Sequence, residues 1–397
     1  MRSAMVGVGL AVLSTALAPN ALAQTSSYQR PHTSWGAPDL QGFWTNASIT
    51  KMTRPASITS LVLTPEQAKA LEDKDFNNQR LAADQKPTDQ TVGAPTAGGL
   101  QANGNYNAFW WDPGSKVAQI NGEYRSSWIV EPADGRIPYK ARRPGPGAAP
   151  AAAPAAAARP AAPARPAPTA PARPKAASPA SSASAAKPFV EPGPSYGAVG
   201  VGRVESSKAY EGPESRSLGE RCLIGFGGTG GPVMNNVLYN NAYEIVQSPG
   251  AVMILVEMNH DARVIPIVAD AMAAARAHRP SAIKPWLGDS VGWYEGDTLV
   301  VETRNVNPAQ RGYIGANGKL TERFTRESDG AIVYGFEVDD PEQYSQAWKG
   351  EISFRSLKGG LFEYACHEGN YGLIGILEGA RQKEKHGEAL ELTADSE

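Results

Sequence analysis

The sequence predicts an all-β fold, an antiparallel up-and-down barrel followed by a C-terminal helix. Between residues 239 and 370, one short segment after another alternates apolar with polar residues, and tight turns separate the segments. This alternation is the period of a strand with one buried face. The predicted strands are also numerous enough to close a barrel, which would remove exposed sheet edges. A two-sheet β-sandwich is the alternative fold.

The part of the chain before residue 144 contains few predicted elements. A strand is expected over residues 40–45, and a second near residues 124–131. Between them, Thr64 followed by Pro65 is typical of a helix N-terminus, which predicts a helix from residue 65 to about residue 80.

The later part of the chain supplies most of the predicted sheet. Neighbouring strands are expected at residues 243–247 and 252–258, with a return strand at 263–267 after a turn at 259–262. The clearest hairpin joins residues 293–294 to 298–303. Further strands are predicted at residues 320–326, 332–338, 351–355 and 362–367, and a helix at residues 373–385.

Residues 1–23 are typical of a secretory signal peptide. They contain Arg2, an apolar stretch from residue 4 to residue 17, and a small-x-small cleavage site before Gln24. The apolar stretch is shorter than the roughly 20 residues of a membrane span. We therefore expect a periplasmic or secreted protein, with no membrane span in the mature chain.

Charge and cysteine content narrow the classes of function. With 38 basic and 40 acidic residues, the chain has no charge excess that would favour nucleic acid or an anionic membrane as a partner. Its two cysteines, Cys222 and Cys366, fit a disulfide in an exported protein, or two buried free thiols. This cysteine count excludes a multi-cysteine zinc site.

Residues 144–190 are almost wholly Ala, Pro and Ser up to residue 188, which predicts a disordered, extended insertion. It separates residues 24–143 from residues 191–397. Because the first of these parts has so few elements, we interpret both as parts of one barrel domain and the insertion as a surface loop.

Two of the five histidines, His260 and His367, end apolar predicted strands among polar neighbours. A histidine with a carboxylate partner transfers protons near neutral pH, which suits elimination, hydration, isomerisation or hydrolysis. We predict that both histidines carry protons; the predicted orienting or charge-stabilising residues are Glu257, Asp261, Arg263 and Glu368. The alternative is that residues 259–262 are only a turn. The other histidines, His32, His278 and His386, are expected to be solvated.

Aromatic and amide side chains are candidates for substrate binding. They could line a cavity for a flat apolar molecule or a sugar ring, although core packing and turn formation explain the same residue types. The predicted binding residues are Trp110, Tyr239, Asn240, Asn241, Trp293 and Asn370.

No metal and no cofactor are predicted. His260 with Asp261, and His367 with Glu368, are sequence neighbours that would point in opposite directions on a strand, and no HExxH spacing occurs. The glycine-rich residues 225–232 lack the Lys-Ser/Thr of a P-loop. The absence of GxSxG argues against a serine hydrolase with a nucleophile elbow.

Several segments resemble those of a largely uncharacterised family of exported bacterial proteins. They are residues 38–44, 106–110, 239–241, 257–263, 286–290 and the CHEGN segment at 366–370. Within the first, Gly42-Phe43-Trp44 resembles the GxW opening of lipocalin-like barrels. The resemblance implies one exported domain and assigns no catalytic residue.

Two hypotheses of function follow. The first is an exported barrel enzyme, a lyase, isomerase or hydrolase acting on a small apolar, aromatic or sugar-like substrate. The second is a non-catalytic carrier whose barrel binds such a molecule. The number of ionisable groups beside histidine favours the enzyme.

Overall fold

The computed structural model describes residues 28–84, 112–140, 210–225, 231, 233–308, 310 and 312–387. The predicted signal peptide, the insertion at 144–190 and Trp110 lie outside these residues. The strands in the described part are β1 Gly42–Thr45, β2 Val62–Leu63, β3 Gln119–Ile120, β4 Glu123–Arg125, β5 Ile129–Glu131, β6 Ala242–Ser248, β7 Ala251–Val256, β8 Ala262–Pro266, β9 Asp289–Glu295, β10 Thr298–Arg304, β11 Lys319–Ser328, β12 Ala331–Asp339 and β13 Trp348–Ser356. The helices are α1 Pro65–Lys74, α2 Phe76–Asp84, α3 Ala271–Ala277 and α4 Tyr371–Lys385.

Nine strands form a nearly closed, barrel-like antiparallel sheet in the order β8-β7-β6-β1-β13-β12-β11-β10-β9, and β5 pairs additionally with β13. Starting at β1 and passing through β6, this ring follows the chain order, which is the up-and-down arrangement predicted. β2, β4 and β3 form a small second sheet. The all-β barrel with a C-terminal helix is therefore confirmed.

An odd number of strands cannot alternate in direction all the way round a ring, so one junction must be parallel. That junction lies between β8 and β9, where Ile267 forms a parallel bridge with Gly292. The backbone N–H of Val268 donates to the carbonyl of Gly292 at 2.9 Å. A Cβ at Gly292 would lie 3.0 Å from Cδ1 of Ile267, so glycine permits this close approach. We call this junction the seam.

β1 is hydrogen-bonded on both sides. Trp44 pairs with Tyr243 of β6 and with Ser356 of β13. Strands from both sides of residues 144–190 therefore share one sheet, whereas the proposed domain boundaries at 24–143 and 191–397 stay predictions.

Aromatic side chains fill the interior of the barrel. Tyr334 packs against Phe324 and Phe354, with ring centroids 4.9 and 5.4 Å apart, and Tyr243 stacks on Phe354 at 5.1 Å. The alternate residues of β12, from Ile332 to Val338, are all buried, as their period of two predicts. Each such side chain contributes roughly 1.5–3 kcal/mol by leaving water.

α1 begins where it was predicted, because Thr64 and Gln67 form a reciprocal capping box. Its predicted end near residue 80 is wrong. The carboxylate of Asp75 accepts from the backbone N–H groups of Asn77 and Asn78, at 2.9 and 3.1 Å, and so starts α2 instead. The strand predicted at 124–131 is divided between β4 and β5, which belong to different sheets.

The C-terminal segment departs most from prediction. Residues 362–367 form no strand, and α4 begins at Tyr371, close to its predicted start. Two backbone N–H groups, of Phe362 and Tyr364, donate to side chains of Glu257 and His260 instead of to a neighbouring strand. Within the described residues, no helix has the length and apolar character needed to cross a bilayer.

Candidate functional site

Polar and aromatic side chains gather where β7 turns into β8 and the segment at 362–370 passes alongside. We call this group the rim cluster; it comprises Tyr239, Asn240, Glu257, His260, Asp261 and Tyr364. The short helical turn Met258–His260 joins the two strands. Asn259 and His260 have φ values of 61° and 54°, the left-handed backbone that makes the turn tight. The expected turn at 259–262 is therefore also the base of the candidate site.

Glu257 is buried at the end of β7, with 5% of its surface exposed. Its carboxylate accepts from Nδ2 of Asn240 at 2.7 Å and from the backbone N–H of Phe362 at 3.3 Å. Burial raises the pKa of this carboxyl, although both hydrogen bonds oppose the shift. The side chain thus joins three chain segments while it stays easier to protonate than an ordinary glutamate.

Asp261 is half-buried at the start of β8. Burial raises the pKa of its carboxyl to about 6, against the opposing effects of a hydrogen bond from Asn259 and the nearby His260. At neutral pH this carboxyl therefore exchanges its proton far more readily than an exposed aspartate does.

His260 is linked to two tyrosines. Its Nε2 accepts from the backbone N–H of Tyr364 at 3.3 Å, which places the proton of the neutral ring on Nδ1. The ring of Tyr364 meets His260 edge-on at 6.5 Å and stacks with Tyr239 at 6.4 Å. Burial raises the pKa of both tyrosines, so their hydroxyls stay neutral.

The disulfide predicted between Cys222 and Cys366 is confirmed, with its Cα atoms 5.7 Å apart. It fastens the segment at 362–370 beside the rim cluster. Asn370 assists, because its Nδ2 donates to the carbonyl of Glu220 at 2.7 Å while its Oδ1 accepts from Leu373 and caps α4. Asn370 therefore has a clear structural role in addition to its predicted role in binding.

His367 and Glu368 lie in an exposed turn before α4. In the described part of the chain, neither side chain makes a hydrogen bond or an ion pair with the rim cluster. Their predicted catalytic role stays a prediction, and the structure adds no contact that supports it.

Two other predicted binding residues have structural partners elsewhere. The amide of Asn241 bonds both backbone groups of Val237 and the carbonyl of Asp112, at 2.7 to 2.9 Å. Trp293 packs with Ala274 in a separate apolar cluster outside the barrel interior. These contacts of Asn241 and Trp293 do not involve the rim cluster. Trp110 lies outside the described residues.

Arg263 lies inside the barrel, where it pairs with Glu322, a residue that sequence reasoning missed. Nη1 of Arg263 donates to Oε1 of Glu322 at 2.9 Å, and Nη2 donates to Thr303 at 3.3 Å. The hydroxyl of Tyr334 donates to the same Oε1 at 2.8 Å. Leu320, Glu322 and Phe324 occupy alternate positions along β11, so the sequence could have indicated that the side chain of Glu322 points into the barrel.

His278 is not solvated, so that prediction is wrong. Its ring lies between two carboxylates, with Nδ1 2.9 Å from Asp289 and Nε2 3.1 Å from Glu302. Its side chain is only 6% exposed. The partners come from β9 and β10, so sequence neighbours alone did not reveal the contact.

Among the residues described, no group of three or more histidine, cysteine, aspartate and glutamate side chains is arranged to hold a metal ion. Comparison with known proteins finds no matching family model, no matching curated protein and no matching solved structure. The family resemblance noted in the sequence stays a prediction.

Proposed function

We propose that this chain is an exported barrel enzyme that performs acid–base chemistry at the rim cluster, as a lyase, isomerase or hydrolase. The main support is Asp261, a half-buried carboxyl with a pKa of about 6 beside the His260 ring. A group with such a pKa populates both its acidic and its basic form near neutral pH, which is what proton transfer requires.

In this proposal Asp261 exchanges the proton with substrate. Its carboxylate removes a proton from a substrate carbon or a water molecule, and the protonated form returns it to the leaving or isomerised atom. When its ring is protonated, His260 stabilises the carboxylate form by its positive charge. Glu257 is a positioning residue, because it holds Asn240 and the segment that carries Tyr364.

The chemistry of the rim cluster favours a neutral substrate. In the described part of the chain, neither Glu257 nor Asp261 has a lysine or arginine within ion-pair distance. An anion would therefore meet two carboxyls that have no lysine or arginine partner among the described residues. The stacked rings of Tyr239 and Tyr364 suit the face of a sugar or aromatic ring, in agreement with the small apolar, aromatic or sugar-like substrate expected.

Export is part of the same proposal. The signal-peptide pattern at residues 1–23 and the Cys222–Cys366 disulfide both favour a periplasmic or secreted protein. The carrier hypothesis is the second candidate. Because aromatic side chains pack the described barrel interior, a carrier would also have to bind its ligand near the rim.

The test compares wild type with Asp261→Asn on a panel of neutral nitrophenyl glycosides, nitrophenyl esters and oligosaccharides. Asp297→Asn is the matched control, since Asp297 is an exposed carboxylate on a different hairpin. We expect Asp261→Asn to lower kcat/KM by roughly 10²–10⁴ and to remove the limb of the pH profile near 6. Equal turnover in all three proteins would refute the assignment, and binding without turnover would support the carrier.

A further inference from the structure

The connection from β8 to β9 joins the two strands that meet in parallel at the seam. It leaves the sheet after Ile267, forms α3 and returns at Asp289. Asp270 caps the start of α3 by accepting from the backbone N–H of Ala273 at 2.7 Å. Ala274 packs α3 against the outer face of β9 and β10, beside the seam. The packing of α3 therefore supports the seam in addition to the parallel bridge between Ile267 and Gly292.

A second contact fixes the end of α3 to the same two strands. His278 directly follows the helix, and its ring nitrogens lie 2.9 Å from Asp289 in β9 and 3.1 Å from Glu302 in β10. Only 9% and 14% of these two acidic side chains are exposed. One imidazole therefore bridges neighbouring strands from outside the barrel.

The double contact of His278 with Asp289 and Glu302 requires a protonated ring. Only the imidazolium donates from both nitrogens, whereas the neutral ring turns one lone pair toward a carboxylate. Burial by itself would lower the pKa of His278, but the hydrogen bonds to Glu302 and Asp289 and the charges of these carboxylates together outweigh burial and raise it. Besides the imidazolium, the carboxylates of Asp289 and Glu302 also attract nearby cations.

Those cations lie directly after α3 and on β10 and β11. Arg304 of β10 contacts Glu302 at 2.7 Å, and Arg279, after α3, lies 3.7 Å from Asp289. Lys319 of β11 acts on Glu302 over a longer distance. Arg279 and Arg304 are 61% and 42% exposed, so solvent screens them more than it screens the imidazole.

We propose that His278, Asp289 and Glu302 form a pH-sensitive latch that holds α3 against the barrel beside the seam. Protonation of the imidazole closes the latch by completing both hydrogen bonds. Loss of that proton opens it, because the neutral ring turns a lone pair toward one carboxylate. α3 then keeps its apolar contact, its N-terminal cap and the 2.7 Å bond from the backbone N–H of Arg279 to Asp289.

The pH window follows from the two shifted groups. The pKa of His278 is raised, so its stabilisation is complete below the ordinary value near 6.5 and is lost as pH rises through the raised value. The pKa of Glu302 is lowered, chiefly by the hydrogen bond to His278. Its stabilisation is present above the ordinary value of about 4.3 and is lost at more acidic pH. The latch is therefore closed in mildly acidic medium and opens as pH rises through the raised pKa of His278.

Hydrogen–deuterium exchange of the α3 amides, corrected for intrinsic rates from about pH 5 to about pH 9, tests the latch. In wild type, we expect α3 protection to fall with rising pH by about tenfold for each unit by which the imidazole pKa is raised. His278→Gln should have low, pH-independent protection in α3 and normal protection in β12. His32→Gln, which removes an exposed imidazole, should behave as wild type.

An NMR titration of the His278 ring in wild type provides a measurement that needs no variant. Its midpoint should lie above about 6.5 and coincide with the pH at which α3 loses protection. A midpoint at or below that value, or identical α3 protection in wild type and His278→Gln, would overturn the proposal. Glu302→Gln should lower the midpoint; an unchanged midpoint would also overturn it.

Discussion

Arg263 and Glu322 form a buried ion pair that crosses the interior of the barrel. Their side chains are 1% and 0% exposed, and they lie on β8 and β11, between which β9 and β10 lie when the ring is followed across the seam. Hydroxyl groups of Thr303 and Tyr334 donate to the Glu322 carboxylate at 3.3 and 2.8 Å. The charges are therefore paired and hydrogen-bonded, which is the condition for keeping them out of water.

Replacing Glu322 by glutamine should destabilise the fold by about 3–5 kcal/mol, because Arg263 is then a buried charge without a counter-ion. The double variant Arg263→Met/Glu322→Leu should be destabilised by less than the sum of the single changes. Urea unfolding measures both values. Arg323→Ala, which breaks an exposed pair with Glu295, should cost at most about 1 kcal/mol. Equal costs for the buried and exposed changes would contradict this account.

Gly350 leaves room for an aromatic ring of the core. A Cβ at this position would lie 2.2 Å from Cζ of Phe336, far inside contact distance. Gly350→Ala should therefore lower the free energy of unfolding by about 1–3 kcal/mol or more, by forcing Phe336 out of place. Gly250→Ala is the control, since nothing lies within 4 Å of its Cβ position. Thermal unfolding that ranks the two variants equally would count against the described packing.

The Cys222–Cys366 disulfide closes a loop over a separation of 144 residues. Replacing both cysteines by serine should cost about 2–5 kcal/mol. It should also raise amide exchange in the segment at 362–370, since that segment has no strand partner. Denaturation with and without reductant provides the check: reductant should lower the stability of wild type and leave the double variant unchanged. If reductant present during denaturation leaves the stability of wild type unchanged, that result would argue that the disulfide does not form.

Asp261 should make stability depend on pH in a definite direction. Because its pKa is raised to about 6, the folded state binds the proton more tightly, and stability falls as pH rises from about 4 to about 6. Asp261→Asn should remove this dependence on pH. Above about pH 6, the free energy of unfolding of the variant should therefore exceed that of wild type by about 1–2 kcal/mol, after allowance for solvent screening. Urea unfolding at several pH values measures it. A wild-type advantage that grows with pH would contradict the raised pKa.

The strand pattern was predictable because a half-buried strand records its buried face in alternate residues. Ile332, Tyr334, Phe336 and Val338 show this directly, since all four are buried as the pattern predicts. Thr64 followed by Pro65 was a local signal for α1, and the composition and spacing of residues 373–385 were local signals for α4. The strand predicted at residues 362–367 was wrong, because the N–H groups of Phe362 and Tyr364 bond side chains of the rim cluster rather than another strand.

The candidate site was predictable only in part. Glu257, His260 and Asp261 are close in sequence, so their grouping could be read from the chain, whereas Tyr364 reaches them only through the disulfide-fastened segment. His278 shows the limit most clearly, because its partners lie 11 and 24 residues further along the chain.

By itself, the sequence determined most of the barrel strands, their turns and the terminal helix, because these depend on the alternation of side chains and on residues near one another in the chain. Tertiary structure alone decided where the charged side chains lie: Arg263 inside with Glu322, and His278 between two carboxylates. The physical reason is that burial and charge pairing depend on which strands meet around the ring, and residue order along one strand does not record that.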